Sequence, residues 1–140
     1  RPMARNSGKK SEAIFEENVP GLVFRLRDKA DLVGLNKGKN VAAFGNPSDT
    51  LLVDPSGHLY FAEVKSTTSK TSFSLSAFTK AQKSAIYRLH KLGHGHVYRI
   101  YIHSLFNDQW YLIDADTYME TINSGKKSIK WKELTTPISW

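Results

Sequence analysis

Between Thr50 and Lys65 the chain runs TLLVDPSGHLYFAEVK, two apolar-rich stretches separated by Asp54-Pro55-Ser56-Gly57-His58. Pro55 suits the first central position of a type I turn, because its ring pre-sets φ. Gly57 suits the left-handed position that follows. This is the pattern of a three-residue hairpin loop with a bulge, and so short a loop fixes the register of both strands. Closing it between Asp54 and His58 sets Val53 opposite Leu59, Leu51 opposite Phe61 and Asp49 opposite Glu63. Side chains alternate along a strand, so Lys65 shares the face of Glu63. Asp49, Glu63 and Lys65 are therefore expected at one end of one face, beyond an apolar layer of Leu51, Val53, Leu59 and Phe61.

The flanking sequence supplies the other elements. Ser11 can open a helix over SEAIFEENV, with Ile14 and Phe15 as its apolar edge and Pro20-Gly21 as its stop. LVFRLRD has the character of a short strand with Arg25 and Arg27 on one side, and DKADLVGLNKGKN after it has no clear period. STTSKTSFSLS, from Ser66, is too polar for a core strand. In SAFTKAQKSAIYRLHKLG, Phe78, Ala81, Ala85, Leu89 and Leu92 recur at helical spacing and Gly93 stands at the stop. VYRIYIHSL and QWYLID alternate as strands, and Asp114 can cap a short helix through Thr121. Residues 1–7 are expected to be flexible, and 126–140 to form a basic tail of a single 1–140 domain. The element order implies an α/β fold, a central mixed β-sheet flanked by helices.

Charge narrows the class of partner. With 20 Lys and Arg against 13 Asp and Glu, the formal charge is +7, which favours a polyanion such as nucleic acid. The chain has no cysteine, so disulfides, thiolate zinc sites and a cysteine nucleophile are excluded, and a reducing, cytoplasmic setting is expected. No apolar run has the length of a membrane span, and no basic-then-apolar start suggests a signal peptide. His94 and His96 stand at a helix end, and Trp110, Trp131 and Trp140 are expected to pack rather than to stack on bases.

Ionised groups on an apolar strand need a reason. Opposed strand partners have Cβ atoms about 5 Å apart, and two like charges that close repel unless a cation lies between them. Two hard carboxylates suit Mg²⁺, which keeps several waters, and Lys65 could orient one water or screen a phosphate. The same residues also fit a solvated hairpin end in which Lys65 pairs the two acids.

Around Pro47-Ser48-Asp49 and Glu63-Val64-Lys65 the sequence resembles the PD-(D/E)xK nuclease superfamily, and within it the RecU-type Holliday junction resolvases, with kinship to the small archaeal-type resolvases. The resemblance continues through KSTTSKTSFSLSAFTKAQ, QWYLIDADTYME and GKKSIKWKEL, and upstream in Gly8-Lys9-Lys10-Ser11-Glu12. It departs from the family in the serine between Pro47 and Asp49, and in a short segment from Gly21 to Asn46 where RecU carries an extended stalk.

The resemblance implies a restriction-endonuclease-like core and a Mg²⁺-dependent nuclease, with Mn²⁺ able to substitute, that cuts four-way DNA junctions as a homodimer. It implies Asp49, Glu63 and the Val64 carbonyl as metal ligands, Lys65 as the group orienting water, and Glu12 and Gln82 as further catalytic residues. Ser66, Thr67, Lys70, Thr71 and Ser72 suit phosphate contacts, and Arg25, Arg27, Lys37 and Lys39 suit a duplex-facing surface.

Overall fold

A computed structural model describes residues 2–26, 45–134 and 137–140. In chain order they form α1 (Pro2–Asn18), β1 (Leu22–Arg25), β2 (Thr50–Val53), β3 (Leu59–Thr67), β4 (Ser72–Ser74), α2 (Lys80–Lys91), β5 (Tyr98–Ser104), β6 (Gln109–Asp114), α3 (Ala115–Asn123) and β7 (Ser128–Lys130). One five-stranded sheet has the order β1-β2-β3-β5-β6, and β4 pairs with β7 in a separate two-stranded ladder. β3 and β5 are parallel, while the other neighbours are antiparallel. The architecture is α/β with a mixed central sheet. No helix among the described residues is long and apolar enough to cross a membrane.

The hairpin has the expected register, Val53 on Leu59 and Leu51 on Phe61. The Asp54 amide donates to His58 O at 2.9 Å and the Gly57 amide to Asp54 O at 2.9 Å. Gly57 takes φ 89°, a backbone that a side chain would strain. The Asp54 carboxylate accepts from the amides of His58 and Ser56 at 2.9 and 3.0 Å. The His58 amide above all holds it below the usual carboxylate range.

α1 covers one face of the sheet, where Phe15, Val19, Leu52, Ala62, Tyr101 and Trp110 pack together. α2 and α3 cover the other, around Ile86, Tyr98, Ile100, Ile102, Ile113 and Tyr118. That second cluster takes residues from β3, β5 and β6 but none from β1 or β2. The apolar layer expected at Leu51, Val53, Leu59 and Phe61 is corrected accordingly. Leu51, Val53 and Phe61 are only half-buried and Leu59 is 57% exposed, while Leu52 and Ala62 behind them are fully buried.

Two element boundaries and one helix face also differ. The first helix begins at Pro2 rather than Ser11. Once the turns around Phe15 are anchored, each added residue gains a hydrogen bond without a new nucleus. Ser11 is interior and buried, its Oγ 2.8 Å from His103 Nδ1. On α2 the buried line is Gln82 and Ile86, with Leu92 71% exposed, because the helix lies rolled about one residue from the expected stripe. The polar run after Lys65 does enter a strand: Phe73 pairs with Ile129 between serines, and both apolar side chains are buried.

Candidate active site on the β2–β3 hairpin

Asp49 lies one residue beyond the paired part of β2, and its main chain is held from both sides. Its amide donates to Glu63 Oε1 at 2.9 Å, and its carbonyl accepts from the Leu26 amide at 2.9 Å. The preceding turn is tied down by Tyr98, whose hydroxyl donates to Pro47 O at 2.5 Å, and by Ser48, whose Oγ donates to Thr50 O at 2.7 Å. The Asp49 side chain remains exposed while Glu63 is only 1% exposed. The hairpin therefore presents one solvated and one buried carboxylate at the same end of one face.

Lys65 completes this end. Its ammonium lies 3.3 Å from Glu63 Oε2, donates to Gln82 Oε1 at 3.4 Å and sits 4.7 Å from the Phe78 ring centroid. Gln82 is fixed by the start of α2. The Thr79 amide donates to Gln82 Oε1 at 3.0 Å, and the Gln82 amide donates to Thr79 Oγ1 at 3.1 Å. This reciprocal capping box uses up helix-start amides that would otherwise lack partners. The same glutamine oxygen then reaches across to the lysine of β3.

Burial governs the charge state of Glu63. Loss of solvent raises its carboxyl from the ordinary 4.5 to about 7, Asp49 adds to the rise, and Lys65 opposes it. Near neutral pH the group is thus poised between its two forms. Tyr98 is pushed above its usual range, first by burial and then by the negative charges of Glu63 and Asp49. A cation beside the two carboxylates would relieve all of these strains together. Among the described residues no group of three or more His, Cys, Asp or Glu converges. Any metal here would therefore rest on the two carboxylates with water completing its shell, a donor set that fits Mg²⁺.

The other predicted residues are distributed as follows. Glu12 accepts from Arg25 at 3.0 Å, and Arg25 also lies 2.6 Å from Glu16, so a surface ion-pair cluster joins α1 to β1. No ion pair or hydrogen bond connects Glu12 to Asp49, Glu63 or Lys65 among the described residues. The Val64 side chain packs on the α1 face. Ser66 and Thr67 continue β3, so the hydroxyl-rich loop leaves from the Lys65 end. Its hydroxyls first serve its own backbone: Thr67 Oγ1 accepts from the Ser69 amide, and Ser69 Oγ from the Thr71 and Ser72 amides. Lys70 stands 5.9 Å from the Phe106 ring centroid. Arg27, Lys37 and Lys39 lie outside the described residues.

Sequence reasoning passed over Phe78 as a partner of Lys65, Tyr98 as the anchor of the Pro47 turn, and the capping role of Gln82. The last had a usable signal, since Thr79-Lys80-Ala81-Gln82 is the S/T-x-x-E/Q pattern. A second polar row joins Ser11 Oγ, His103 and Asp108 at 2.8 Å per contact. Ser11 is 1% exposed, so this row ties α1 to β5 and offers no accessible nucleophile. Comparison of the chain with protein-family models gave no matching family, and comparison with curated proteins gave no match.

Proposed function

We propose that the chain is a Mg²⁺-dependent endodeoxyribonuclease with a restriction-endonuclease-like core, acting on four-way DNA junctions as a homodimer. The observation that carries this proposal is the gathering of Asp49, Glu63, Lys65 and Gln82 at the open end of the hairpin, where a buried carboxylate is held beside an exposed one. A purely structural Glu63–Lys65 pair would gain little from such burial, since desolvation offsets most of the attraction. Its position beside Asp49 supports a cation site instead.

Asp49, Glu63 and the Val64 carbonyl would hold the cation. A bound Mg²⁺ or Mn²⁺ would supply Lewis-acid activation of water and neutralise charge on the scissile phosphate. Lys65, steadied by Gln82 and the Phe78 ring, can orient the attacking water and meet charge developing on the phosphate oxygens. The +7 charge supports a polyanionic substrate, and the hydroxyl-rich loop leaving β3 lies next in the chain to receive it. The resemblance to junction resolvases supplies the junction and the two-fold dimer, which would deliver paired nicks.

The test compares cleavage of a four-way junction, a linear duplex and a flap of the same sequence, with Mg²⁺ and with chelator. Metal-dependent cleavage favouring the junction is expected, and Asp49→Asn should lower it by about a hundredfold or more while junction binding persists. Equal rates on the three substrates would replace the resolvase by another DNA nuclease. An inert parent protein that still binds junctions would replace the enzyme by a binding module.

A further inference from the structure

A second surface stands apart from the hairpin site. Between α2, α3 and the segment after β4 runs a groove of about 390 Å³, bordered by Leu75, Lys83, Tyr87, Met119, Ile122 and Lys127. Tyr87 is 50% and Ile122 38% exposed, large apolar groups that no other described element covers. The polar groups at its base are paired within the chain. The Tyr118 hydroxyl donates to Leu75 O at 3.0 Å, and the Leu75 amide donates to Lys127 O at 2.9 Å. The floor thus offers apolar surface with few free hydrogen-bonding groups.

The rim is charged. Lys83 on α2 and Lys127 beyond α3 are both exposed, and neither has a carboxylate within ion-pair distance among the described residues. Nearby Lys126 is different, being paired with Glu133 at 3.2 Å. The groove is also distinct from the candidate site, because Gln82 reaches Lys65 while its neighbour Lys83 borders the groove.

We propose that this groove docks a short acidic peptide segment of a partner protein, with an aliphatic or aromatic anchor seated between Tyr87 and Met119 and carboxylates meeting Lys83 and Lys127. Charge complementarity selects the acidic flank, and the apolar floor selects the anchor. A phosphodiester strand would find the two lysines but would desolvate its sugars and phosphates against a floor with few donors. The proposal does not depend on the nuclease assignment, since it uses none of the same residues.

The experiment is fluorescence anisotropy of the full chain with a labelled Asp-Asp-Glu-Leu-Leu-Phe peptide. Controls are a peptide with Ser in place of Leu and Phe, and a labelled oligothymidylate of similar length. The acidic, apolar-ended peptide is expected to bind, and to weaken about tenfold or more in the Lys83→Glu/Lys127→Glu double variant and in Tyr87→Ala. Raising salt from about 50 to about 500 mM should weaken it several-fold. Thermal melts of both variants check that they fold, and Lys83→Gln/Lys127→Gln serves as the milder charge change. The proposal is overturned if the peptide fails to bind, if these substitutions leave its affinity unchanged, or if the Ser-substituted control binds as well. Oligothymidylate binding lost in the same variants, without peptide binding, would reassign the groove to nucleic acid.

Discussion

Glu63→Gln separates what the buried carboxylate costs the fold from what it does in the site. In the folded chain without metal, the carboxyl titrates at about 7 instead of the ordinary 4.5, chiefly because burial penalises its charged form. An acid with a raised folded value binds its proton more tightly when folded than when unfolded. Stability is therefore fullest below the unfolded value of 4.5, falls as pH rises through the window to about 7, and levels off above it. At about 1.4 kcal/mol per pH unit, the loss across that window is about 3 kcal/mol. Glutamine has nearly the same shape, can still accept from the Asp49 amide and has no charge to desolvate. Lys65 loses its counter-charge but keeps Gln82, which returns part of the gain. The variant should therefore exceed the parent by about 1–2 kcal/mol near pH 8 and match it near pH 5. Urea unfolding in chelator at intervals between those pH values measures the difference directly. A parent-to-variant gap that stays flat with pH, or a variant less stable than the parent near pH 8, would refute the burial argument. Adding Mg²⁺ near pH 8 should then raise the parent's unfolding midpoint and leave that of Glu63→Gln unmoved.

Three further substitutions probe the surroundings. Thr79→Ala removes the α2 cap and should cost about 1 kcal/mol in urea unfolding, together with a several-fold loss of cleavage because Gln82 is loosened. Ser11→Ala leaves His103 Nδ1 without its buried partner and should cost about 1–3 kcal/mol, with α1 amides exchanging faster by hydrogen-exchange mass spectrometry. Phe15→Ala empties the centre of the α1 face, where the ring lies 4.7 Å from Tyr101, and should lower stability by about 3–5 kcal/mol in the same unfolding assay.

Local chemistry made the hairpin legible from sequence. Pro55 and Gly57 set the loop, the loop sets the register, and the register places Asp49 beside Glu63. Asp114 likewise announced its helix, accepting from the Thr117 amide at 2.9 Å. What sequence left hidden depends on partners distant in the chain. Phe73 sits in a serine-rich run and counts as a strand residue only because Ile129 arrives opposite it. Ser11 resembles a helix cap until His103, 92 residues away, claims its hydroxyl. The face of the hairpin that becomes core was similarly unreadable, since Leu52 differs from Leu51 only in the packing of α1 over it. Arg25 looked available for a phosphate because Glu12 and Glu16 belong to another element.

One oxygen of Gln82 serves both the first turn of α2 and the ammonium of Lys65. Fraying of that turn therefore also removes the glutamine contact of Lys65 and leaves its ammonium to Glu63 and the Phe78 ring. Helix ends open far more often than whole domains do. In the proposed nuclease, warming should therefore loosen the site while the sheet is still intact, so activity would begin to fall below the global unfolding temperature.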